Sequence, residues 1–161
     1  MQIVPKPFDA AAFEPYGECF ALRDLDGDRH DFAARMANGR SHASLNVSVS
    51  RARPVAGPIK VTALERHDFS AQTFAPIVVG RWLAAVAPTL PDGQPDFEKL
   101  QAFVLDETVG ICYRPNVWHH PFACFDRPAE MLMLRWDDRT EADTTWAKAP
   151  PGVSIEIAAV T

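Results

Sequence analysis

Fourteen prolines are scattered through the 161 residues at short intervals, from Pro5 to Pro151, and they exclude an architecture built on long helices. Inside a helix a proline removes a hydrogen-bond donor and clashes with the preceding turn. The runs left between the prolines are short, apolar and often alternating. Leu45, Val47 and Val49 alternate with Asn46, Ser48 and Ser50, the period of a half-buried strand. Further strand-like runs cover residues 19–22, 59–64 (continuing to His67), 73–79, 82–87, 100–105, 109–113, 122–125, 131–136 and 153–157. A Pro-Asp-Gly turn lies within 88–95. The one predicted helix is short: it starts at an Asp9 cap, turns Phe13 inward, and is limited by Pro15 and Gly17. Residues 23–40, rich in Asp, Arg, Gly and Asn, read as a long surface loop or lid. Many short strands separated by turns predict an all-β sandwich or barrel.

Apolar residues make up 47% of the chain, enough for the core of a single domain over 1–161. The net charge of −5 and the absence of a basic run argue against a nucleic-acid partner. No apolar run reaches the length of a membrane span, and residues 1–10 lack the apolar core of a signal peptide. Cys19, Cys112 and Cys124 are odd in number and lack CxxC spacing. The expectation is a protein without a disulfide framework in a reducing cytoplasm.

The stretch Tyr113-Arg114-Pro115-Asn116-Val117-Trp118-His119-His120-Pro121 carries the clearest chemical signal. Adjacent strand residues point to opposite faces, so one of His119 and His120 faces into the fold. Imidazole binds transition metals and moves protons near neutral pH. Glu65 and His67, two apart, share a strand face, and Gln72 follows across a turn. Together they could hold a divalent metal through N and O donors, or a polar substrate without one. The purely structural alternatives are an ion-paired Glu65 and a core histidine held by a backbone carbonyl. Arg51, Arg66, Arg81, Arg114 and Arg135 sit in or beside apolar runs, and their forked guanidinium groups suit a small anionic substrate. Histidines on interior strand faces favour a small barrel or jelly roll that encloses a site. Gly-rich phosphate loops and GxSxG elbows are absent from the sequence.

These residues resemble the ureidoglycolate lyase family, whose fold is of the cupin type. The resemblance rests on 13–18 (Phe-Glu-Pro-Tyr-Gly-Glu), 49–54, Leu64-Glu65-Arg66-His67 with 72–76, 95–96 with 100–103, and above all 110–113 with 117–121. The general cupin pattern shows through as well: Glu65-x-His67-x4-Gln72 stands for His-x-His-x4-Glu, and Gly110, Pro115 and His119 or His120 stand for the second motif.

The resemblance implies an all-β, cupin-like jelly-roll barrel with a short N-terminal helix. It implies a carbon–nitrogen lyase that splits (S)-ureidoglycolate into glyoxylate and urea during allantoin breakdown in the cytoplasm. It implies a small-molecule substrate, a homodimer, and a divalent metal such as nickel. On this chain Glu65, His119 and His120 would be the catalytic candidates. His67, Gln72 and His119 would be the metal ligands, and Arg51, Arg66, Arg114 and Trp118 would hold the substrate. Another enzyme of the fold acting on a small acid, or a non-catalytic binding cupin, would use the same residues. The sequence departs from the family in three places. Its 23–44 loop is shorter and has no clear Arg-Tyr/Phe-His-Asp segment, His42 standing nearest to it. It has Asn116 where a glycine is common, and Arg135-Trp136-Asp137 where Asp-Arg is usual.

Overall fold

The computed structural model describes residues 1–22 and 35–157. In chain order its strands are β1 (Gln2–Ile3), β2 (Lys6–Pro7), β3 (Gly17–Ala21), β4 (Ser44–Ala52) and β5 (Ile59–Lys60). Next come β6 (Ala63–His67), β7 (Gln72–Val78), β8 (Trp82–Ala87), β9 (Gln101–Leu105) and β10 (Val109–Tyr113). The last five are β11 (Trp118–His119), β12 (Ala123–Cys124), β13 (Ala129–Asp137), β14 (Thr144–Lys148) and β15 (Ser154–Ile155). One α-helix, α1 (Ala10–Phe13), precedes β3. As predicted, it is capped by Asp9, whose Oδ1 accepts from the amides of Ala11 and Ala12 at 2.9 and 3.2 Å. Phe13, at its end, is fully buried.

The fold is all-β and cupin-like. A five-stranded sheet runs β3-β10-β7-β13-β4, and a second sheet runs β14-β6-β11-β8-β9-β2 with β12 also on β8. The two pack face to face around Phe74, Ile111, Tyr113 and Met131 from the first, and Trp82, Ala84, Val86 and Phe103 from the second. The second sheet also buries its other face. Leu64, Leu83, Ala85 and Trp118 pack there against Ile59 and Ile155 of a small sheet, β1-β15-β5. This explains why β8 reads Trp-Leu-Ala-Ala-Val-Ala without alternation: all six residues are buried. A strand covered on both faces has no polar side.

Two sequence expectations change. The alternation of β4 is real, but its apolar face is the outer one: Leu45, Val47 and Val49 are exposed, while Asn46, Ser48 and Ser50 are half-buried. The inward face of β4 meets a polar interior, since Asn46 lies opposite Arg135, which in turn lies opposite Gln72. The run from Ile59 to His67 is two strands in different sheets, β5 and β6. Of the expected lid, residues 23–34 lie outside the described residues.

Candidate functional site

The site forms where β6 and β11 face the start of β7, at Gln72, and the far end of β13, at Arg135. In the second sheet the Cα of His119 is paired with that of Glu65, which sets their side chains on one face. In the first sheet a cross-strand row runs Tyr113–Gln72–Arg135. Tyr113 closes the gap between the sheets by stacking on His119, with ring centroids 4.4 Å apart and planes at 15°. The turn before β11 places Asn116 in left-handed backbone (φ 66°), and its amide donates to the His67 carbonyl at 2.8 Å. That left-handed conformation explains why glycine suits this position, and Asn is the side chain that best tolerates it. The bond ties the His119 strand to the His67 strand.

Ligand atoms of Glu65, His67 and His119 lie within 4.8 Å of one another, a possible metal-binding triad. His119 is 1% exposed. Its Nδ1–H donates to the Val117 carbonyl at 2.8 Å, which leaves the Nε2 lone pair facing Oε1 of Glu65 at 3.5 Å. A backbone carbonyl behind an imidazole is the usual arrangement at a metal ligand or a general base. His67, 3% exposed, has Nδ1 beside Nη1 of Arg135 at 3.1 Å and Oγ1 of Thr144 at 3.3 Å. Nε2 of both histidines and Oε1 of Gln72 are buried and have no hydrogen-bond partner.

Burial holds the His67 imidazole down at about 4, helped by the charges of His119 and Arg135. Burial alone would raise Glu65, but the imidazole of His119 beside it, with His67 and Arg135 beyond, holds it below the ordinary carboxylate range. Burial pushes the Tyr113 phenol up. The pocket therefore holds a neutral imidazole and a carboxylate side by side.

A buried ionic layer supports His67 from behind. Arg40 reaches Asp138 at 2.7 Å and Asp143 at 3.4 Å. Asp143 accepts from the Phe69 amide at 3.0 Å and from the Ser70 hydroxyl. Arg135 is tied to Asp137 at 3.2 Å.

The remaining sequence candidates lie elsewhere. Arg66 points to the opposite face of β6 from its neighbours, stacks over Trp118 at 4.6 Å, and pairs with Asp68 at 2.7 Å. Trp118 is buried in the second core on the opposite face of β11 from His119. Arg51 pairs with Glu130 at 2.8 Å on exposed strand ends, and Arg114 pairs with Glu14 at 2.7 Å beside α1. His120 follows His119 with Nδ1 on the Pro121 carbonyl at 2.6 Å, outside the triad. His42, largely exposed, lies 3.4 Å from Asp138. Arg135 was one of the five arginines singled out in the sequence for a charge beside an apolar run, without a place at the site; Tyr113 had no signal beyond its nearness to the histidines.

The family model for ureidoglycolate lyase matches residues 1–156. A ureidoglycolate lyase of Salmonella paratyphi B is 30% identical over 159 residues, spanning 94% of this chain and 96% of the relative. One from Salmonella typhimurium is 29% identical over the same shares. A solved dTDP sugar isomerase from Desulfovibrio desulfuricans G20 is similar over 83% of this chain and 74% of its own, with a TM-score of 0.49 and 19% identity. With a family model matched across nearly all of its length, this chain belongs to the ureidoglycolate lyase family.

Proposed function

We propose that this lyase cleaves ureidoglycolate to glyoxylate and urea, with His119 and Glu65 as the proton-transfer pair. The observation that carries the reading is the fixed orientation of His119. Val117 holds its Nδ1–H, so the lone pair stays on Nε2, a buried atom beside the Glu65 carboxylate. The substrate is a carbinolamine bearing a carboxylate. His119 Nε2 takes the hydroxyl proton, and the freed O–H electron pair becomes the second bond of the new carbonyl. The C–N bond breaks with its pair going to the urea nitrogen, which takes the proton back from His119. Glu65 stabilises the imidazolium that exists between the two transfers. Arg135 supplies the positive charge that a substrate carboxylate needs at this depth.

Glu65, His67 and His119 offer the kinds of donor atom that hold a divalent metal such as nickel, and Gln72 has a partnerless Oε1. A bound ion would supply positive charge to the substrate oxygens. Three unpaired cysteines support a reducing compartment such as the cytoplasm. Assembly as a homodimer is supported by β4, an edge strand of its sheet among the described residues. Its sequence is nearly palindromic about Ser48 (Asn46-Val47-Ser48-Val49-Ser50), so antiparallel pairing with a second copy would set Val47 against the other copy's Val49.

The test is glyoxylate release from racemic ureidoglycolate by the purified protein, corrected for spontaneous decay and run with and without a chelator. Release that survives chelation supports side-chain catalysis by His119 and Glu65. Release abolished by chelation and restored by a divalent metal keeps the lyase and moves the chemistry to an ion. No release above background rejects the reaction.

A further inference from the structure

We infer that Arg135 fixes His67 as the tautomer with its proton on Nε2, so that His67 enters the site as a neutral hydrogen-bond donor and not as a metal ligand. The inference deepens the lyase reading and rests on it only for the identity of the oxygen that His67 would meet.

The argument is one of donors and acceptors. A guanidinium group has five N–H donors and no acceptor. Nη1 of Arg135 stands 3.1 Å from Nδ1 of His67. A proton on Nδ1 would aim one donor at another, so the contact is favourable only if Nδ1 accepts. Thr144 Oγ1, at 3.3 Å from both Nη1 and Nδ1, does not oppose this: it can accept from Arg135 and turn its own hydrogen to Nδ1. Asp143, the acceptor that would favour a proton on Nδ1, is 4.0 Å away, beyond hydrogen-bond reach. Thr144 Oγ1 could accept from a proton on Nδ1, but that proton would still face the charged Arg135 N–H at 3.1 Å in a buried setting, and this repulsion disfavours the other tautomer. The proton of a neutral His67 then sits on Nε2, the buried atom that has no protein partner.

The two imidazoles are therefore set in opposite senses. His119 gives its Nδ1–H to a carbonyl and offers a lone pair at Nε2. His67 receives at Nδ1 and offers an N–H at Nε2. A ligand nitrogen needs a lone pair, so His67 fits a metal only if Arg135 turns away. An N–H donor beside a base suits the substrate oxygen on which charge develops as its proton leaves. No proton is transferred from His67, and Arg135 acts as a positioning residue.

The tautomer can be read directly by long-range 1H–15N correlation of 15N-labelled protein, with the His67 signals identified by their loss in His67→Gln. The expected wild-type pattern is a protonated Nε2 and a bare Nδ1 at His67, with the reverse at His119. Added Zn2+ should leave the His67 Nε2–H in place, whether or not it shifts the His119 signals. Arg135→Met should move the His67 proton to Nδ1, and Arg135→Lys, which keeps a donor, should restore the wild-type pattern. A bare or exchange-averaged Nε2 in the wild type, or loss of the Nε2–H on adding Zn2+, overturns the inference. So does an unchanged pattern in a folded Arg135→Met protein. In turnover, His67→Gln keeps an N–H donor and should retain at least ~10-fold more kcat than His67→Leu in protein stripped of metal by a chelator; equal losses in the two variants overturn the donor role. The spectra need no substrate. A locked tautomer in a protein that releases no glyoxylate would leave the inference standing and remove the lyase reading.

Discussion

Nε2 of His119 and Oε1 of Glu65 face each other at 3.5 Å, across a strand pair whose register sets the two residues opposite. Replacing Glu65 by Gln keeps the shape and removes the charge that an imidazolium needs. Glyoxylate release should fall about 100-fold or more in kcat, with the thermal midpoint little changed. A Glu65→Gln enzyme within threefold of wild type would take Glu65 out of the reaction.

His67 titrates at about 4 in the folded protein against 6.5 in the open chain, through burial first and then its cationic neighbours. Between those values the unfolded state binds the extra proton. The contribution is thus complete above about pH 6.5 and is lost as pH falls toward 4, by a total on the order of 3 kcal/mol. Urea unfolding from pH 4 to 7 should show stability rising with pH, and His67→Gln should flatten that slope. Parallel pH profiles for the two proteins would mean that His67 is not buried in its neutral form.

Arg66 works on the far side of β6 from the chemistry. It stacks on Trp118 at 4.6 Å, pairs with Asp68 at 2.7 Å and donates to the Gly93 carbonyl at 3.0 Å. Arg66→Met should cost roughly 1–2 kcal/mol of stability, from the lost stacking and ion pair, and leave KM within twofold. A tenfold rise in KM with unchanged stability would return Arg66 to the substrate.

The outer face of β4 tests the assembly. Val47 is 57% exposed at the centre of an edge strand. If two copies pair there, Val47→Lys should give a monomer by light scattering at a concentration where the wild type is a dimer. A dimeric Val47→Lys protein would place the interface elsewhere.

Much of the architecture was legible because strand period and proline spacing are local properties. The Asp9 cap, the inward Phe13, the shared face of Glu65 and His67, and the inward turn of one histidine of the pair all follow from residues close in sequence. What was hidden depends on which strand lies across from which. The burial pattern of β4 is inverted because its inner neighbour is Arg135, 89 positions further on in the register pair with Asn46. Arg51, Arg66, Arg81 and Arg114 looked as suitable as Arg135, and only the register Gln72–Arg135 brings one of the five beside His67. Strand β14 escaped notice because Thr-Thr-Trp-Ala-Lys is short and its one large apolar residue, Trp146, is exposed. Its Thr144 nevertheless completes the surroundings of His67.

The double burial of the second sheet also sets a timescale. Amides of β8, covered on both faces, open only when the whole sheet comes apart, whereas β4 can fray at its outer edge. His119 is paired directly to Val86 of that slow strand. Its position is therefore held through excursions that loosen the rim, and amide exchange at the β8–β11 pairing should report global unfolding alone.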